Sequence, residues 1–235
     1  MFPKMSDLYI LPRVSSANNP LRLAVLISGS GSGLEALLQY QESNDCSHET
    51  VVVISDQTAV KGLDRAANHG VVGICVPLKP RSDFQVGPDG ARTRRLAHEQ
   101  AVAEVLDEYQ VEMVVCSGYM RILTADFLAP RLGRVVNIHP SPWGDEGALY
   151  PGAHGVRDTL AARATTAGAS VHFVSAGVDD GPLIASETTA IQLGEDEDSL
   201  GERVRVEIEH HLYPAVIDAL AEGRVVSNGS RFQIN

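Results

Sequence analysis

Cysteine is scarce in this chain: Cys46, Cys75 and Cys116 are the only three in 235 residues. Three thiols cannot all pair, and no Cys-x-x-Cys spacing occurs. A disulfide framework and a cysteine-built redox or zinc motif are therefore not expected, and the pattern suits reduced thiols in a cytoplasmic protein. Cys116 ends the run Met113-Val114-Val115-Cys116, where a cysteine acts as a small buried hydrophobe. Basic residues are also few, with Lys and Arg totalling 19 against 30 Asp and Glu, a formal charge of −11. So little cationic surface argues against nucleic acid and anionic membranes as partners. A small phosphorylated ligand needs only one local pocket of donors and stays open. No stretch approaches the ~20 apolar residues of a membrane span. The opening MFPKMSDLYILPRVSSANNP lacks the apolar core of a secretory signal, so residues 1–20 read as an N-terminal extension prone to disorder. What is present, 44% hydrophobic and 21% charged residues, describes a folded globular protein.

Along the chain, short apolar runs alternate with helical stretches. RLAVLIS (22–28) feeds Gly29-Ser30-Gly31-Ser32-Gly33 and then the helical LEALLQY. VVVIS (51–55) ends at Asp56, KGLDRAANHG reads as a helix closed by Gly70, and VVGICVP (71–77) reads as a third strand. Residues 79–90 are polar and rich in Pro and Gly, which predicts a loop. Val102, Val105, Leu106 and Tyr109 then recur at helical spacing. MVVCSG (113–118) and RVVNIHP (134–140) are further strands, followed by the helical GVRDTLAARA, SVHFVS (170–175) and PLIASETTAI (182–191). Glu195-Asp196-Glu197-Asp198 reads as a solvated loop before a last helix. There Ser199 and Glu202 have capping-box spacing, Leu200, Val204, Ile208, Leu212, Val216 and Leu220 recur every four residues, and Pro214 predicts a kink. The alternation predicts an α/β fold, a Rossmann-like, mostly parallel sheet with helices on both faces. We expect one domain over 21–226 and a C-terminal tail over 227–235.

Three constellations could carry chemistry. The glycine loop joins a strand to a helix start, where backbone N–H groups and the helix dipole favour an anion. It is not a Walker A loop. It resembles a dinucleotide fingerprint, with Asp56 as a ribose-binding acid, except that Leu34 stands where a third glycine belongs. Asn137 and His139 lie two apart on a strand and so share a face, Ile138 taking the other. At a strand's C-terminal end, such an amide and imidazole suit an oxyanion developing on a carbonyl. Val178-Asp179-Asp180-Gly181-Pro182 reads as a turn, whose carboxylate would orient His139 if the fold brought the two together. His154, His172, His210 and His211 show no metal-ligand spacing, so no metal site is read.

Together, VLISGSGSGLEALL, GLDRAANHGV, SGYMRILTADFL, RVVNIHPS, YPGAHGVRDTLAA, SVHFVSAGVDDGP and EHHLYP resemble the phosphoribosylglycinamide formyltransferase family, in family order from residue 22 to about 226. The resemblance implies transfer of a formyl group from 10-formyltetrahydrofolate, as co-substrate, to the amine of glycinamide ribonucleotide in purine synthesis. It implies catalytic roles for Asn137, His139 and Asp179. Gly31, Ser32 and Gly33 would hold the ribose-linked phosphate, and Glu209 would assist with the ribonucleotide. Met120, Arg121, Ile122 and Leu123 would line the folate site through backbone groups. Arg95 would lie near the benzoylglutamate end, with Arg94 an equally reachable neighbour. Small molecules would be the partners of a monomer or homodimer in the cytoplasm.

The chain departs from the family in three places. Gly33 stands where the family usually has Asn. SPWGDEGAL, between His139 and Tyr150-Pro151-Gly152, is about four residues longer than the family's link. Val206 stands one helical turn before Glu209, where relatives often carry Lys or Gln. A 10-formyltetrahydrofolate deformylase would use the same three catalytic residues with water as acceptor. Such enzymes usually carry an N-terminal regulatory domain, for which about 20 residues before the first strand are too few. A methionyl-tRNA formyltransferase would need a C-terminal domain and a basic surface. A dinucleotide-binding protein would explain the glycine loop and leave NIHPS and VDDGP unexplained.

Overall fold

The structure, a computed structural model, describes residues 9–228 and 231–235. In chain order the elements are β1 (Leu21–Ile27), α1 (Ser32–Ser43), β2 (His48–Ser55), α2 (Lys61–Asn68), β3 (Gly73–Cys75) and α3 (Pro88–Glu108). Then come β4 (Met113–Cys116), α4 (Ala125–Leu128), β5 (Val135–His139), the two-residue strands β6 (Trp143–Gly144) and β7 (Gly147–Ala148), and α5 (Gly155–Ala161). The chain continues through β8 (Thr166–Phe173), β9 (Leu183–Ala190), α6 (Glu197–Val204), α7 (His210–Ala221), β10 (Val225–Ser227) and β11 (Phe232–Ile234). A seven-stranded sheet has the order β3-β2-β1-β4-β5-β8-β9. Its first five strands are parallel, β8 pairs antiparallel with β5, and β9 pairs antiparallel with β8.

The pattern of β1, LRLAVLI, explains its central place. Leu23, Val25 and Ile27 join one core with α1 and α7, whereas Ala24 and Leu26 join the other with α3 and α4. Alternate residues of a strand face opposite ways, and a strand covered on both faces needs apolar side chains at nearly every position. The strand order reverses between β1 and β4. Open α/β sheets gather ligands at the carboxyl ends of strands on either side of such a switch.

Several local expectations change. The third strand shortens to Gly73–Cys75, because it is the edge strand and pairs with β2 alone. Residues 79–90 are not one loop: a 3₁₀ turn covers Arg81–Asp83, and α3 begins at Pro88, a residue suited to a helix's first turn. The capping box of α6 belongs to Asp196 and Ser199, not to Ser199 and Glu202. The Asp196 carboxylate accepts from the Ser199 N–H at 2.9 Å, and the Asp196 N–H donates to the Ser199 hydroxyl at 3.0 Å. A π-helical turn over Arg205–Glu209 joins α6 to α7, and Pro214 lies inside α7. The six apolar residues at four-residue spacing are all buried. On an α-helix such spacing drifts by roughly 40° per step, and the slower-winding π turn recovers part of that drift.

Residues 9–20, expected as a disorder-prone extension, follow the body of the protein. The Ile10 N–H donates to the Leu132 carbonyl at 3.0 Å, the Ser15 N–H to Ala221 at 2.8 Å, and Arg13 pairs with Glu112 at 2.6 Å. Residues 1–8 lie outside the described residues. Of the segment 227–235 read as a C-terminal tail, Phe232–Ile234 pairs antiparallel with Val225–Ser227, and Phe232 packs edge-on against Phe173 with centroids 4.8 Å apart.

Candidate functional site

Ile138 enters the core beside Val136, as the alternation along β5 requires, so Asn137 and His139 project together from the opposite face. Asp179 reaches them from the β8–β9 loop, with a left-handed backbone (φ +49°). That conformation is unfavourable for most residues, and Asp is among the few that tolerate it. Its Oδ2 accepts from the Gly152 N–H at 2.8 Å and lies 3.5 Å from His139 Nδ1. Its Oδ1 accepts from Asn137 Nδ2 at 3.4 Å and lies 3.5 Å from His172 Nε2. The three residues expected to act together therefore do meet.

Proton positions follow from the partners. His139 Nε2 lies 2.7 Å from the Tyr150 carbonyl oxygen, which can only accept, so this nitrogen donates. Nδ1 faces the Asp179 carboxylate at 3.5 Å. Burial alone would push the Asp179 carboxyl up. The His172 hydrogen bond, the Gly152 N–H and the two imidazoles outweigh it and hold the group below its usual range.

His172 is a site residue that the sequence reading passed over. It sits directly opposite Asn137 in the β5–β8 register, is 2% exposed, and donates from Nδ1 to the Phe173 carbonyl at 2.9 Å. The one signal available was a polar residue inside the apolar run SVHFVS; its partner is set by register, which the run does not encode.

These groups stand at one end of a cavity of about 610 Å³. The glycine loop with Gly31, Ser32 and Gly33, the segment Ser117–Leu123 and Glu209 line the rest. The first N–H groups of α1 point from the loop with no partner inside the helix. Glu209 closes the π turn in the cavity wall, where burial pushes its carboxyl up to about 7 against the lowering pull of Arg205. The Tyr213 hydroxyl, one turn further on, lies 2.8 and 3.0 Å from the Cys116 and Val136 carbonyl oxygens and fastens α7 beneath the site.

Arg95 is not in this cavity. With Arg81 and Arg94 it lines a second cavity, of about 520 Å³, and the two cavities share Met120, Arg121, Ile122 and Leu123. That shared segment is pinned at its ends. The Met120 N–H donates to the Ser28 hydroxyl at 2.8 Å, and the Thr124 N–H donates to the buried Glu99 carboxylate at 2.7 Å. Among the described residues no hydrogen bond engages the backbone of Arg121, Ile122 or Leu123, which leaves polar backbone edges facing the cavities. Asp56 is not open to a ribose: it is 3% exposed, and its Oδ2 accepts from Arg121 Nε at 2.5 Å and Gln57 Nε2 at 3.0 Å.

At the opposite, N-terminal edge of the sheet, Cys46, His48 and Asp218 bring ligand-type atoms within 4.8 Å of one another. They are already engaged locally, the Tyr40 hydroxyl donating to Asp218 and Gln41 Nε2 meeting His48 Nδ1 at 2.8 Å. Among the described residues no helix is long and apolar enough to cross a membrane.

Residues 21–217 match the family model described as formyl transferase. The chain is 34% identical over 205 residues to phosphoribosylglycinamide formyltransferase of Escherichia coli (strain K12), covering 87% of this chain and 89% of that protein. It is also 34% identical to the trifunctional purine biosynthetic protein adenosine-3 of Gallus gallus, where 88% of this chain spans 19% of that protein's length. Among solved structures, glycinamide ribonucleotide transformylase 1 from Symbiobacterium toebii superposes with a TM-score of 0.80 at 34% identity, over 92% of this chain and 94% of that one. With a matching family model over most of its length and a 34% identical relative covered almost end to end, this chain belongs to the phosphoribosylglycinamide formyltransferase family.

Proposed function

We propose that this protein transfers the formyl group of 10-formyltetrahydrofolate to the primary amine of 5-phosphoribosylglycinamide, a step of purine biosynthesis. The observation that carries the reading is the meeting of Asn137, His139 and Asp179 at one end of a cavity whose other walls suit the two substrates. The N–H groups around Gly31, Ser32 and Gly33, at the positive end of α1, receive the phosphate. Glu209 accepts from the hydroxyls of the ribonucleotide. The unengaged backbone edge of Arg121, Ile122 and Leu123 reads the pterin, and the second cavity gives Arg95 and Arg94 a place against the glutamate carboxylates. A pair of joined cavities of this size suits a long ligand. The reading carries with it a cytoplasmic enzyme with small-molecule partners, a monomer or homodimer, and a catalytic unit over residues 21–226.

In the reaction the amine nitrogen bonds to the formyl carbon, the carbon's bond to the folate nitrogen breaks, and one proton passes from the amine to that nitrogen. Asn137 Nδ2 and a His139 ring N–H, which turns from its resting partner to do so, donate to the formyl oxygen as it becomes anionic, a stabilisation typically worth ~10²–10³ in rate per donor. Asp179, ionised and facing His139, holds the ring in place and takes the amine proton through water. Contacts of 3.4–3.5 Å around Asp179 are of the kind that tighten when substrate arrives.

The test is spectrophotometric. The enzyme is mixed with 10-formyl-5,8-dideazafolate, with and without the ribonucleotide. Deformylated folate appearing only with the ribonucleotide supports transfer to its amine. Turnover without it makes water the acceptor and the protein a deformylase, and silence in both arms overturns the reading.

A further inference from the structure

The stretch between His139 and Tyr150, longer than the family's link, folds as a small hairpin whose strands are β6 and β7. The Leu149 N–H donates to the Pro142 carbonyl at 3.0 Å and the Tyr150 N–H to the Ser141 hydroxyl at 3.0 Å, which closes its base. Its tip, Asp145-Glu146, is exposed. Its two sides, in contrast, both bear on the catalytic groups. On β6 the Trp143 ring lies against the His172 imidazole, with centroids 4.8 Å apart and planes at 35°. His172 in turn meets Asn137 Nδ2 at 3.3 Å and Asp179 Oδ1 at 3.5 Å. On β7 the Ala148 N–H donates to the Asp179 carbonyl at 2.9 Å. Gly147, at φ +130°, packs so closely that a Cβ would stand 2.7 Å from that carbonyl oxygen and 3.0 Å from Asp180 Cα. The residues leaving the hairpin complete the contact: the Tyr150 carbonyl accepts from His139, and the Gly152 N–H donates to the Asp179 carboxylate.

We propose that the 143–148 hairpin is a positioning element for the formyl transfer, Trp143 bracing His172 and Gly147-Ala148 holding the left-handed backbone of Asp179 in register with Asn137 and His139. None of its residues touches the reacting atoms. Asp179 is the one member of the catalytic set carried by a loop, and its backbone sits where few non-glycine residues settle. A strained loop keeps its geometry only when its surroundings over-determine it, and the hairpin supplies a ring contact, a backbone hydrogen bond and close packing. Misplacing a catalytic group by about 1 Å can cost ~10² in rate, so loosening this brace should act on turnover more than on binding.

The inference rests on the proposed formyl transfer, and the experiment separates the two. Wild type, Trp143→Ala, Trp143→Phe and Gly147→Ala are compared for kcat, for KM toward each substrate, for Tm, and for the ¹⁵N shifts of the histidine rings. Trp143→Ala and Gly147→Ala should lower kcat by roughly 10–100-fold with each KM within about threefold. Trp143→Phe, which keeps an aromatic face on His172, should recover most of the loss. The ring-nitrogen shifts of His172 and His139 should move in Trp143→Ala and return in Trp143→Phe. If wild type is inactive the functional reading has failed, and the ring shifts still decide the brace. Near-normal kcat with unchanged ring shifts in both loosened variants overturns it. A loss of kcat that Trp143→Phe does not rescue, or that only follows a fall in Tm, also overturns it.

Discussion

Ser117 and Gly33 share one space: a Cβ on residue 33 would stand 2.5 Å from the Ser117 hydroxyl oxygen. Both residues line the main cavity, and Ser117 is 9% exposed. The resemblance leads one to expect Asn at this loop position; Gly33 brings no side-chain donor, and the Ser117 hydroxyl stands beside it. Ser117→Ala should therefore raise KM for the ribonucleotide by about 2–10-fold, the worth of one ordinary hydrogen bond, with kcat little changed. Gly33→Asn alone should be worse than wild type, because the new side chain meets the hydroxyl. Gly33→Asn with Ser117→Ala should recover binding. Steady-state kinetics of the three variants checks this, and simple additivity of the two single effects would dismiss the coupling.

The oxyanion assignment makes a different demand. His139→Ala and Asp179→Asn should each lower kcat by ~10²–10³ while KM changes little. The pH dependence tells the carboxylate's state. Asp179 is held below the usual carboxylate range, so at pH 6 and at pH 8 it is ionised alike, and Asp179→Asn should cost the same factor at both. A penalty that shrinks toward pH 6 would mean that the carboxyl titrates there. A depressed carboxylate also contributes stability above its unfolded pKa, and that stability is lost as pH falls through the folded value.

Strands and helices of the parallel half were legible because β1, β4 and β5 are nearly continuous apolar runs, and Asn137 and His139 because their spacing fixes a common face. That Asp179 closes on them was not derivable from residues 42 positions apart; it came from the resemblance. His172 stayed hidden for a similar reason, since its place depends on the antiparallel register of β5 and β8. The hairpin was visible as extra length and nothing more, because two-residue strands leave no periodicity to read. Asp56 was misplaced by a motif analogy, as its true partner, Arg121, lies 65 residues away. Residues 9–20 looked disorder-prone by composition, but Tyr9 packs on Phe173 and Phe232, contacts made only after folding.

Val206 stands three residues before Glu209 and Arg205 four, so both neighbour it along the helix, and the i,i+5 winding of the π turn adds Val204. Arg205 acts electrostatically on the Glu209 carboxyl and offers a cation where Val206 offers none. Arg205→Ala should raise KM for the ribonucleotide several-fold and Val206→Ala should not, because a partly exposed cation already paired with Glu202 contributes about 1 kcal/mol or less. Equal effects of the two variants would refute the role of the Arg205 charge.

Glu209 also links pH to stability. Its carboxyl is raised from an ordinary value near 4.5 to about 7, chiefly by burial. The folded protein thus holds this proton more tightly than the unfolded chain. The associated stability is complete below pH ~4.5 and lost as pH rises through about 7. Glu209→Gln, which stays neutral, should be more thermostable than wild type at pH 8.5 and little different at pH 5, as melting curves at the two values would reveal. Ribonucleotide binding, which favours the ionised acceptor, should release protons near pH 6.5 in wild type and release fewer in Glu209→Gln, measured by calorimetry in buffers of different ionisation enthalpy.

Asp56 and Arg121 carry the last prediction. Burial would raise the Asp56 carboxyl, yet hydrogen bonds from Ser28, Arg121 and Gln57 and the Arg121 charge hold it below the usual range. An ionised, buried carboxylate at 2.5 Å from Arg121 Nε fixes the arginine whose backbone edges both cavities. Removing one partner of such a pair leaves the other uncompensated, which costs about 3–5 kcal/mol when the pair is fully buried. The Arg121 side chain is 37% exposed, so the cost here should be at the low end or below it. Asp56→Asn should therefore lower Tm by a few degrees and raise KM for the folate more than KM for the ribonucleotide. The same geometry predicts that NADH leaves the melting temperature unchanged while a folate analogue raises it, since the acid that a dinucleotide's ribose would need is already bound to the arginine. A stabilising shift with NADH, or an Asp56→Asn variant with unaltered folate KM, would show that the pair does not set the folate wall.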